Sequence, residues 1–101
     1  MAAEQLLVSG VVQMVGYRAW TLHTARALGV TGFVRNLADG RVEIFVEGDV
    51  RAIEALADAC RRGPSHARVD AVGRAPRPAR GLTSFVLFDD AEGPEGADHM
   101  T

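Results

Sequence analysis

Apolar residues near the N-terminus fall on both alternating sets, Leu6, Val8, Gly10 and Val12 against Leu7, Ser9 and Val11. A strand apolar on both faces belongs near the middle of a sheet. From Tyr17 to Leu28 the period lengthens. Tyr17, Thr21, Ala25 and Leu28 share a stripe, Arg26 lies off it, and Gly29 supplies the stop, which predicts a helix held close to its sheet by small residues. "VTGFVRN" and "RVEIFVEG" predict two strands joined through "LADG", where glycine after Asp39 is a hairpin signal. In the second of these, Val42, Ile44 and Val46 oppose Arg41, Glu43, Phe45 and Glu47, so one face is expected buried and the other mostly wet. Asp49 is expected to cap a second helix, "VRAIEALADACRR", with Val50, Ile53, Ala57 and Cys60 on its buried stripe and Gly63-Pro64 at its end. "ARVDAVGR" predicts a fourth strand, and beyond the loop "APRPARG" the run "TSFVLFD" predicts a short fifth.

The order is βαββαβ with an added strand. Its α+β solution is a ferredoxin-like sandwich, two helices on one face of a mostly antiparallel sheet. At 101 residues, 48% of them apolar, the chain suits one domain, expected over residues 1–90. Residues 91–101 are acidic and poor in large apolar side chains, so a disordered tail is expected, removable with little change in melting temperature. The single cysteine excludes an intrachain disulfide and fits a reducing compartment. No apolar run is long enough to span a bilayer, and "MAAEQLL" lacks the features of a signal peptide, so a cytoplasmic protein without membrane contact is expected. A net charge of −2 argues against duplex binding. RNA recognition on such a sheet would call for exposed aromatic and basic residues on the central strands, where Glu43 and Glu47 are expected instead.

The candidate chemistry lies where the first strand turns into the first helix. The loop Gln13 to Tyr17 leads to a helix N-terminus, whose free N–H groups and positive dipole end favour an anion, and Arg18 adds a planar fork of donors suited to phosphate oxygens. On pattern alone a turn followed by a solvated arginine is the commoner reading. Asn36, at the end of its strand before the hairpin, reads most simply as a turn asparagine bonded to its own backbone.

"GVVQMVGYR", followed about a dozen residues later by "GFVRN" and then by "DGRVEIFVEGD", strongly resembles the acylphosphatase family, over about residues 4 to 88. The family signature runs Gly-x-Val-Gln-Gly-Val-x-aromatic-Arg and then Gly-aromatic-Val-x-Asn. The resemblance implies a metal-independent hydrolase, without cofactor, that splits carboxyl-phosphate mixed anhydrides into a carboxylate and inorganic phosphate. It assigns Arg18 to the phosphate, Asn36 to the attacking water, and Gln13, Met14, Val15, Gly16, Tyr17 and Arg18 to the phosphate-binding segment. The implied partners are a small-molecule acyl phosphate and inorganic phosphate as product and competitor, with a monomer expected. One residue departs from the signature: Met14 stands where the family has glycine. A bulky side chain is rarely kept in the left-handed region, so negative φ is expected there.

The remaining chemistry-bearing residues have plain readings. His23, His66 and His99 share no metal-ligand spacing, Cys60 reads as a small core residue, and Trp20 as core or its margin. "RAPRPARG" reads as a solvated loop shielding an edge strand. Against the enzyme stands a second function class on the same fold, a non-catalytic or slow module that binds a small phosphorylated ligand for regulation, with Met14 as its motive.

Overall fold

The computed structural model describes residues 1–90, and the tail expected at 91–101 lies outside the described residues. Seven elements follow in the order β1 (Ala2–Val11), α1 (Tyr17–Leu28), β2 (Thr31–Asn36), β3 (Val42–Gly48), α2 (Val50–Arg62), β4 (Arg68–Pro76) and β5 (Phe85–Leu87). They build one five-stranded sheet in the order β4-β1-β3-β2-β5, antiparallel except for the parallel β2–β5 pair. The ferredoxin-like arrangement and the short fifth strand are therefore as expected. β1 lies inside the sheet, between β4 and β3.

Both helices pack on one face, where Leu6, Val8, Val34, Val42, Ile44 and Val46 meet Tyr17 and Ala25 of α1 and Ile53, Leu56, Ala57 and Cys60 of α2. Asp49 caps α2 as expected, its carboxylate accepting from the Arg51 N–H at 2.8 Å. Val50 does not join the stripe. It opens the first turn, beside the cap, and is exposed, while Leu56 fills the place within the core.

The second face corrects a further expectation. Glu43, Phe45 and Glu47 are buried, because the chain between β4 and β5 crosses this face to carry the last strand from one edge of the sheet to the other. Phe33 and Phe45 stack at 5.7 Å, and Leu82 and Phe88 pack against the pair. The Arg80 guanidinium lies 4.6 Å from the centre of the Phe45 ring. The Glu47 carboxylate is buried, but it accepts the backbone N–H groups of Arg80, Gly81 and Leu82, so its charge is met by three donors. Glu43 takes Gln5 Nε2 at 2.6 Å and Arg35 Nε at 2.5 Å. The basic loop is exposed at residues 76–81 as expected, but it is a strap bound across the second face of the sheet and not a shield beside an edge strand.

Candidate active site

The end of β1 is turned into the loop by a bulge. Register shifts between Ser9 and Gly10, and Gly10 sits at φ 127°, where a Cβ would run into the Arg68 carbonyl. Only glycine fits there. The loop then makes two left-handed turns, at Met14 (φ 64°) and at Gly16 (φ 80°), the N-cap of α1. Met14 is the one residue other than glycine at positive φ among the described residues, which overturns the negative φ expected from its size. Its side chain is 100% exposed, so no core contact compensates the backbone cost, about 1–2 kcal/mol for such a residue. Met14→Gly is expected to gain about 0.5–1 kcal/mol, the relief less glycine's extra chain entropy, with kcat/KM within about threefold of the native chain, because the backbone already has the shape glycine allows. A melting curve and steady-state kinetics on this variant check both halves.

The Gly16 carbonyl accepts the Trp20 N–H at 3.0 Å. The N–H groups of Tyr17, Arg18 and Ala19 precede that first helical bond and stay at the positive end of the helix. Beside them lies a cleft of about 150 Å³ lined by Val12, Met14, Gly16, Tyr17, Arg18, Ala19, Asn36 and Leu87. Arg18 and Asn36, from the first helix and the second strand, are thus brought together at one cavity.

The other segment residues divide by what their side chains do. Gln13 Nε2 donates to the carbonyls of Leu37 (2.8 Å) and Arg41 (2.9 Å), clamping the loop to the β2–β3 hairpin that carries Asn36. Val15 packs against the core. Tyr17 is buried and its hydroxyl donates to the Cys60 carbonyl at 2.7 Å, with burial pushing its acidity far below that of an ordinary phenol. These three residues shape the loop through their side chains and offer an anion only their backbones. Trp20 lies at the core margin, its ring 5.3 Å from that of Tyr17.

Two partners of the site come from the far end of the chain and were invisible to local pattern. Arg18 Nη1 donates to the Phe88 carbonyl at 2.8 Å and lies 3.2 Å from Asp90 Oδ1. Asn36 Nδ2 donates to the same Asp90 oxygen at 2.9 Å, while Asn36 Oδ1 is buried with no hydrogen-bond partner among the described residues. Asn36 therefore faces the site rather than its own turn. Cys60 is buried within the core and its thiol is pushed up to about 11 by burial, which leaves no thiolate nucleophile at neutral pH. Among the described residues no group of three His, Cys, Asp or Glu could hold a metal ion, and no helix is long and apolar enough to cross a membrane.

The sequence profile described as Acylphosphatase matches residues 4–87. The chain belongs to the acylphosphatase family. It is 52% identical over 69 residues to the acylphosphatase of Rhodopseudomonas palustris, covering 68% of this chain and 70% of the relative. With the acylphosphatase of Deinococcus radiodurans it shares 48% identity over 82 residues, 81% of this chain and 94% of the other. The fold matches the crystal structure of acylphosphatase from Bacillus subtilis with a TM-score of 0.85 at 30% identity, over 88% of this chain and 100% of that one. Membership makes the chain an enzyme of the class that hydrolyses acyl phosphates.

Proposed function

We propose that the chain hydrolyses a small acyl phosphate without a metal, holding the phosphoryl group on the loop from Gln13 to Arg18 and the attacking water on Asn36. One observation carries this reading: Arg18 and Asn36, 18 positions apart in the sequence, line one cleft beside the N-terminus of α1, and both reach a single carboxylate oxygen of Asp90 at its margin. Donors that meet one anion oxygen suit another.

The chemistry asks little more of the protein. A carboxylate is a good leaving group, so positioning and charge stabilisation suffice, with no covalent nucleophile. Water on Asn36 attacks phosphorus, the bond from phosphorus to the acyl oxygen breaks, and the electron pair leaves with the carboxylate. The water's proton passes to a phosphate oxygen, giving inorganic phosphate. Asn36 supports its part because its amide carries both a donor and an acceptor for a water, and Oδ1 has no partner among the described residues.

The partners in this reading are the acyl phosphate and inorganic phosphate, product and competitor. A monomer in the cytoplasm, binding no nucleic acid, completes it. The strap over Phe33 and Phe45 supports the last point, since it covers the sheet face on which bases would stack. The alternative of a slow binding module draws its motive from Met14; the left-handed backbone there, the shape glycine adopts freely, supports the hydrolase, and kinetics of Met14→Gly separate the two.

The test is hydrolysis of synthetic acetyl or benzoyl phosphate by the purified chain in excess EDTA. Turnover unaffected by the chelator and competed by inorganic phosphate is expected. Activity lost to EDTA and restored by a divalent ion would overturn the metal-free mechanism, and no turnover under any condition would overturn the enzyme reading.

A further inference from the structure

We infer that Asp90 is the site's own anion, a carboxylate beside the phosphate cleft that competes with an acyl phosphate for Arg18 and Asn36 and must leave before the substrate binds. The inference rests on the reading above and adds what sets the enzyme's affinity. Asp90 Oδ1 takes the Asn36 Nδ2 donor at 2.9 Å and lies 3.2 Å from Arg18 Nη1. Arg18 Nη1 has two hydrogens, and the Phe88 carbonyl takes one at 2.8 Å. Nη1 is thus shared between that carbonyl and Asp90, and a phosphate on the remaining guanidinium donors would lie against the Asp90 carboxylate. A phosphoryl dianion and a carboxylate cannot share these donors, because like charges at hydrogen-bond range repel.

Departure is easy. The Asp90 side chain is 74% exposed and stands two residues beyond the N–H of Phe88, which is fixed to the Val34 carbonyl at 3.0 Å. When Asp90 swings away, the Phe88 carbonyl still holds Arg18, so the guanidinium needs no second orienting partner. Asp90 therefore weakens substrate and product binding alike and leaves the chemical step alone. An exposed ion pair shifts an equilibrium by up to about fivefold, and a site closed for that fraction of the time loses affinity in proportion.

The experiment compares the full chain with Asp90→Asn and Asp90→Ala, measuring KM and kcat with benzoyl phosphate and, separately, calorimetric titration with inorganic phosphate. Both variants are expected to lower KM and to tighten phosphate binding by about threefold to fivefold, with kcat within about twofold. A fall in kcat in both variants would mean that Asp90 orients Arg18, and unchanged or weaker phosphate binding would mean that it does not compete. Either result overturns the inference. If the full chain turns over no acyl phosphate, the functional reading fails. If it does, and phosphate binds all three proteins equally, the inference fails alone.

Discussion

Arg18→Ala is expected to lose at least about a thousandfold in kcat/KM toward an acyl phosphate, the scale on which a single arginine acts in phosphoryl transfer. Inorganic phosphate should no longer bind measurably by calorimetry. The loss is chemical, not structural. The side chain is a quarter exposed and joins no hydrophobic cluster among the described residues, and its hydrogen bond to the Phe88 carbonyl is worth about 1 kcal/mol. A melting curve should therefore show a folded protein a few degrees less stable. Arg18→Lys separates charge from shape: it restores a cation but not the planar fork, so recovery should be partial. Retention of activity within tenfold in Arg18→Ala would end the assignment of Arg18 to the phosphate.

Asn36→Ala should fail in a different manner, with kcat down by about 10²–10³ and phosphate affinity unchanged or slightly tighter. Unchanged affinity follows if Asn36 holds water while Arg18 and the loop hold the anion, and slight tightening follows from the loss of one Asp90 contact. Stability is the useful control. Asn36 Oδ1 is buried without a partner among the described residues, so truncation removes an unsatisfied acceptor and should leave the melting temperature level or higher. A residue whose loss abolishes turnover at no cost in stability is held for function. If kcat stays near that of the native chain, Asn36 does not position the water.

How much of this was legible beforehand depended on how far along the chain each determinant lay. The bounds of α1, Tyr17 to Leu28, and its Gly29 stop followed from a stripe and a glycine within the segment itself, and the Asp39-Gly40 hairpin was equally local. The second face of β3 is buried against expectation because alternation reports which residues share a face, not what covers it. The cover arrives some thirty residues later, with Arg80 and Leu82. Phe45, a large aromatic among charges, was the signal that could have revealed it. Val50 fitted the stripe by count, but a residue next to the cap need not reach the core. The size of Met14 favours negative φ, and the loop between the β1 bulge and the helix overrides that preference. Phe88 and Asp90 reach Arg18 across 70 and 72 positions, separations that no local pattern spans.

The place of the last strand governs when the molecule becomes competent. β5 is three residues long, sits at a sheet edge and pairs in parallel with β2 across some fifty residues of intervening chain. Because the Phe88 carbonyl that holds Arg18 comes just after it, a nascent chain synthesised only through β4 has the phosphate loop and Asn36 but no support for the arginine. Long-range closure of this kind is slow and forms late in folding. A short edge strand is also among the first elements to open in the native state. Recovery of activity during refolding should thus trail the recovery of helical signal, and on gentle heating activity should fade before the bulk of the sheet melts, so that turnover reports the docking of residues 85–88 rather than the folding of the first eighty.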